Sequence, residues 1–176
     1  MKKLLTITLV GIACWAQARL VRNWTQAELT AAADTVVVIE ALSTEKTDLE
    51  PDFLKNSKLS KEDYQAWVTT FKVLTVFKGS AKTEEPLKIV HFTYSDRVRG
   101  SYNGAQFVRF TIGPVEREAM VKVNGVGQGT ATWPAYHPTW LAYLKHCKNG
   151  RFEPVTGHYD AVPSFYEQSS VRSAFP

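Results

Sequence analysis

The sequence predicts a mainly β fold: a small antiparallel barrel with a short N-terminal helix and one or two peripheral helical turns. Three observations carry this reading. Runs of strand length are rich in β-branched and aromatic residues. Their ends carry turn residues, notably Gly79, Asn124-Gly125 and Asn149-Gly150. Stretches with helical spacing are few, and neither a repeat nor a low-complexity tract interrupts the pattern.

Thr25 and Glu28 form a capping box that opens a short helix through Leu29 to about Ala33. A strand follows over 35–42. Its consecutive Val36, Val37, Val38 and Ile39 predict burial on both faces. The stretch 43–66 is polar, charged and broken by Pro51, and reads as a long surface excursion. Within it, Ser60 and Asp63 repeat the capping pattern and predict a helical turn.

The clearest strand is 67–78, with Trp67, Phe71, Val73 and Phe77 on one face at period two. Leu74 and Val76 on the other face predict that something covers its middle. Gly79 ends it. A third strand over 87–94 places Val90, Phe92 and Tyr94 on one side and Leu87, Ile89 and His91 on the other. After a polar loop, 106–112 reads as a fourth strand with Val108, Phe110 and Ile112 facing alike. Residues 118–123 form a strand turning at Asn124-Gly125, and 127–130 take no assignment.

The stretch 139–148 reads two ways. Trp140, Leu141 and Leu144 can line a helix capped by Gly150. Asn149-Gly150 is also a strong hairpin signal before the extended 151–156. The hairpin is preferred, pairing Cys147 with Phe152 and Leu144 with Val155. Residues 157–176 form a C-terminal tail with Tyr159, Phe165, Tyr166 and Phe175.

The first 18 residues read as a secretory signal. Lys2 and Lys3 precede an apolar run over 4–15, and Ala16-Gln17-Ala18 supplies the small-x-small cleavage pattern. The run falls short of the roughly 20 apolar residues of a spanning helix. An extracytoplasmic protein starting at Arg19 is expected, so 19–176 forms a single domain of 158 residues. A minority reading lipidates Cys14 in Gly11-Ile12-Ala13-Cys14 and anchors the chain to an envelope. Without the signal, 19 basic residues face 17 acidic ones. That balance excludes an electrostatic nucleic-acid binder. Cys147 would then be the sole thiol, so no intramolecular disulfide supports the fold.

Two segments carry a family resemblance: Asp34-Thr35-Val36-Val37-Val38 after a short helix, and Phe71-Lys72-Val73-Leu74-Thr75-Val76-Phe77-Lys78-Gly79. A third is Trp140-Leu141-Ala142-Tyr143-Leu144-Lys145, with Asn149 to Gly157 beyond it. Together they cover about a quarter of the chain and resemble bacterial exported domains similar to the netrin-like module, also found in tissue inhibitors of metalloproteinases. The resemblance implies an OB-like barrel and an extracytoplasmic habit. The inhibitors' zinc-binding N-terminal cysteine and disulfides have no counterpart here, so protease inhibition by that route is not implied.

The expected function is an exported, non-enzymatic binding domain for a protein or glycan, without a cofactor. Trp133, Tyr136 and Trp140, set among Pro134 and Pro138, read as a proline-stiffened contact loop, with Tyr94 and Tyr102 as additions. The same rings could instead plug the barrel. The alternative is a thiol-dependent hydrolase using Cys147. Its neighbour His146 points to the opposite strand face, so His137 or His158 would have to serve as base. His158 and Asp160, with His91, His137 and His146, lack dedicated metal spacing. Glu84-Glu85 and Glu116/Glu118 read as solvated charge, and Asn23-Trp24-Thr25 fits a glycosylation sequon.

Overall fold

A computed structural model describes residues 22–50, 53–54, 60–98, 104–122, 128–147 and 150–168, with backbone alone for 117–122 and 128–134. Residues 1–18, expected to be a signal, and Tyr102 lie outside these residues. The chain forms a closed five-stranded barrel. Helix α1 (Gln26–Ala32) precedes β1 (Thr35–Thr47), β2 (Tyr64–Lys78) and β3 (Leu87–Tyr94). Strands β4 (Val115–Lys122) and β5 (Gln128–Tyr136) form a separate two-stranded sheet. Then come β6 (Thr139–His146), β7 (Phe152–Pro154) and β8 (Phe165–Gln168). The barrel order is β1-β2-β3-β7-β6, and β6 returns to β1 with Thr35 opposite Leu144 and Glu40 opposite Thr139. Strands β7 and β8 lie end to end along the other edge of β6. The pairing of β3 with β7 is parallel.

Both predicted caps form. Thr25 accepts from the Glu28 amide at 3.2 Å while Glu28 accepts from the Thr25 amide at 2.8 Å. Ser60 and Asp63 make the same exchange around the 3₁₀ turn Lys61–Asp63. Leu29 pins α1 onto Val36, Tyr143 and Val155 outside the barrel. Burial of both β1 faces follows: Val37 and Ile39 face the interior, and Val36 meets the helix cluster.

Bulges decide which side chains enter the barrel. Opposite β2, Ala41 pairs with Phe71 and Ser43 with Thr70, so Leu42 is an extra residue, 49% exposed. It flips the alternation, so Ile39 and Ala41 fill the core while Thr44 and Lys46 reach the mouth beyond it. Leu74 and Phe77 are extra residues on β2. This corrects the expected face of Phe77, which is 66% exposed, and turns Val76 toward the core instead.

Other expectations are corrected as well. The excursion is shorter than 43–66, because β1 continues to Thr47 and β2 begins at Tyr64. Backbone pairing outruns a polar sequence there, since strand ladders need no apolar side chains. Residues 106–112 form no strand; Gln106 makes one isolated bridge to Asp160. The segment crosses the barrel instead, with Val108 in the core and Phe110 packed edge-on against Phe71 at 4.7 Å. Phe107 and Phe53 cover Val68, Val90 and Phe92 on the outer face of β2 and β3. The hairpin reading of 139–148 holds, with its register one residue off. His146 pairs with Phe152 and Leu144 with Pro154, while the Cys147 amide bonds the Arg151 carbonyl at 2.8 Å. Residues 118–122 of the expected strand belong to β4 and 128–130 of the unassigned stretch to β5, while the expected turn at Asn124-Gly125 lies outside the described residues.

Candidate functional site

The residues 133–140 are not a loop. Trp133 and Tyr136 lie on β5 and Trp140 on β6, joined by His137 and Pro138 alone. Trp140 is 4% exposed, edge-on to Phe110 at 5.3 Å and Phe71 at 6.4 Å, so it fills the core as the barrel-plug alternative holds. Tyr136 is half-buried, and its hydroxyl donates to Glu167 at 3.2 Å. The side chain of Trp133 lies outside the described set. Tyr94 sits at the end of β3, its ring 4.9 Å from that of Phe107 and its hydroxyl donating to the Ala105 carbonyl. The described members of the expected contact set are therefore spread between core, β5 and the end of β3.

Tyr94 does reach a different place, the end of the barrel where β1 and β3 finish and β2 starts. A cavity of about 490 Å³ opens there. Alternation aims its lining: Trp67 and His91 pair across β2 and β3, as do Gln65 and Thr93, on the face that carries Phe71 and Ile89 deeper in. Thr44 and Lys46 join through the Leu42 bulge, and Arg109, Phe110 and Ile112 through the crossing segment. A second cavity of about 580 Å³ adjoins it, sharing Thr93, Tyr94 and Arg109 and lined also by Phe107 and Val162.

The floor is a polar chain. Thr44 and Thr69 hydroxyls are 2.6 Å apart, and Thr69 Oγ1 lies 2.7 Å from His91 Nε2. Trp67 Nε1 donates to Thr93 Oγ1 at 2.9 Å. His91 is 3% exposed, and its Nδ1 has no hydrogen bond of ordinary geometry. Burial drives its pKa from 6.5 down to about 4; the nearby Val108 backbone opposes this, and His158 adds a smaller push downward. The imidazole is therefore neutral at pH 7, and the charges at the mouth belong to Lys46, Arg109 and Asp96. Lys46 Nζ stands 5.5 Å over the Trp67 ring.

The remaining sequence candidates fare differently. Burial pushes the Cys147 thiol up, and the charge and hydrogen bond of Glu153 push it further. An activated nucleophile needs the opposite shift. His146 packs its ring on Phe152 at 5.0 Å. His137 Nδ1 meets Glu40 at 2.9 Å, and His158 stands 3.9 Å from Glu153. Among the described residues no group of three or more His, Cys, Asp or Glu is placed to hold a metal ion. Glu85 pairs with Lys82 at 2.7 Å on the surface.

Sequence reasoning missed Thr44, Lys46, Trp67, Thr93 and Arg109 as a group. Its available signal was the polar set Thr69, His91 and Thr93 on the core-facing positions of two strands. Inward polar residues at a strand end mark either a satisfied network or a site; here Thr44, Thr69 and His91 form a chain beneath a cavity, with His91 Nδ1 left over. No family model, curated protein or solved structure matches this chain.

Proposed function

We propose that this chain is an exported, non-catalytic binding domain whose contact surface is the open end of the barrel. The supporting observation is the cavity over the Thr44–Thr69–His91 chain, where Trp67 and Tyr94 rings stand among hydroxyls and amide groups. Pockets of this size, with convergent polar groups at a barrel mouth, suit small ligands or one end of a longer one. The raised Cys147 thiol favours binding over thiol chemistry. Kinship with netrin-like exported domains belongs to the same proposal; a closed five-stranded barrel entered through a short helix is compatible with it. Export itself is read from residues 1–18, and intact-mass measurement of the secreted form should give a chain starting at Arg19.

Amide chemical-shift mapping against a library of small polar compounds tests the site. Hits should move Lys46, Trp67, Thr93 and Arg109 resonances together. Shifts confined to Tyr136 and its β5 neighbours would restore the sequence-expected surface and overturn the mouth.

A further inference from the structure

Resting on that binding reading, we infer that the barrel mouth takes an acidic carbohydrate, a saccharide bearing a carboxylate, laid across both cavities. Four features of the walls point there. Trp67 is half-buried on the wall of the larger opening, and indole faces carry sugar C–H surfaces at low entropic cost. Thr44, Thr93 and Ser95 hydroxyls with the Gln65 carboxamide ring the same space, a density of donors and acceptors that suits a ligand bearing many hydroxyls.

Charge supplies the third feature. Among the described residues neither Lys46 nor Arg109 has an ion-pair partner, and both face the cavity. Some surface cations are engaged: Arg97 with Glu62, Lys61 with Glu50 and Arg22 with Glu28. Lys72, Lys88 and Lys145 share the unpaired state of Lys46 and Arg109 but line neither cavity. Asp96 is the one carboxylate among the lining residues, so the cationic side prevails by one charge. A carboxylate on a sugar stacked against Trp67 would meet Lys46, which already stands over that ring. Such charge-assisted hydrogen bonds are stronger than neutral ones.

The fourth feature is length. Arg109, Thr93 and Tyr94 line both cavities, so the two openings adjoin at these residues. Exposed Ile112 lines the first opening and exposed Val162 the second, 46% and 44% accessible. A single sugar ring fills one opening; an oligomer reaches the other and passes Arg109. The Leu42 bulge fits the same purpose, since without it Thr44 and Lys46 would face away from the first opening.

Titration calorimetry of the full secreted chain with an oligogalacturonide, its neutral galactose counterpart and an acidic peptide of matched charge tests this. The oligogalacturonide should bind at least about tenfold tighter than either rival, weakening as salt is raised. Lys46→Gln and Arg109→Gln should each lower that affinity about tenfold with the melting temperature unchanged, because both side chains are exposed. Equal binding of the neutral sugar, or indifference to both substitutions, overturns the acidic-carbohydrate assignment. Preference for the acidic peptide, with shifts at Trp67 and Arg109, overturns the ligand class and leaves the mouth as the binding surface. Absence of binding by all three probes, together with no compound mapping to the mouth, overturns both.

Discussion

His91 shows what one residue can carry when a strand aims it inward. Its neighbours in alternation, Ile89 and Leu87, are core residues, and the ring inherits their burial. Thr69 gives it one partner, and Phe110 stands edge-on at 5.0 Å. A base whose pKa is lower in the folded chain takes up protons more readily on unfolding. Its contribution to stability is therefore complete above pH 6.5 and is lost as pH falls toward about 4. Over that window the loss should reach about 3 kcal/mol from this group. Urea unfolding of wild type and His91→Gln across the window checks it: the wild-type curve should fall more steeply, and parallel curves would contradict the assignment. The sequence showed His91 on the face of Ile89; that the same face ends in an open cavity depended on β1 and the crossing segment.

At the scale of elements, capping boxes and turn residues were legible because their chemistry is local. Thr25 to Glu28 and Ser60 to Asp63 span three residues each, and both form. Gly79 is equally local in cause. Its φ is +94°, and a Cβ there would stand 2.6 Å from the Asp34 carbonyl oxygen. Gly79→Ala should therefore cost about 1–3 kcal/mol in denaturant unfolding, through backbone strain plus a clash that the Asp34 main chain cannot relieve. A loss below a few tenths would show that the turn relaxes freely. The bulges at Leu42, Leu74 and Phe77 escaped the reading, since a period-two count has no means of seeing a skipped residue. So did the fate of 106–112. Its alternating Val108 and Phe110 look like a strand, yet beyond the Gln106 bridge the segment joins no ladder, and Val108 and Phe110 pack into the barrel as a plug.

For the whole molecule, closure of β6 onto β1 builds one core from residues far apart in the chain, with Val37, Phe71, Ile89, Trp140 and Phe165 all inside. No disulfide contributes among the described residues, where Cys147 is free. Stability thus rests on packing. Trp140→Ala should lose about 3–5 kcal/mol of unfolding free energy. Tyr136→Ala, which forfeits one surface hydrogen bond to Glu167 and half-buried ring area, should lose about 1 kcal/mol. Equal losses in the two variants would mean that the β4–β5 hairpin is as much a part of the core as β6.

By itself the sequence determined the β class, the helix and turn caps, the antiparallel pairing of β6 with β7 and most strand faces. Each follows from residues a few positions apart, where alternation and side-chain-to-backbone hydrogen bonds act. Tertiary structure alone decided that Trp140 is core and that Lys46, Trp67, His91 and Arg109 share a cavity. Those residues come from three separate strand regions and a crossing segment, brought together by barrel closure and a single bulge that no local pattern encodes.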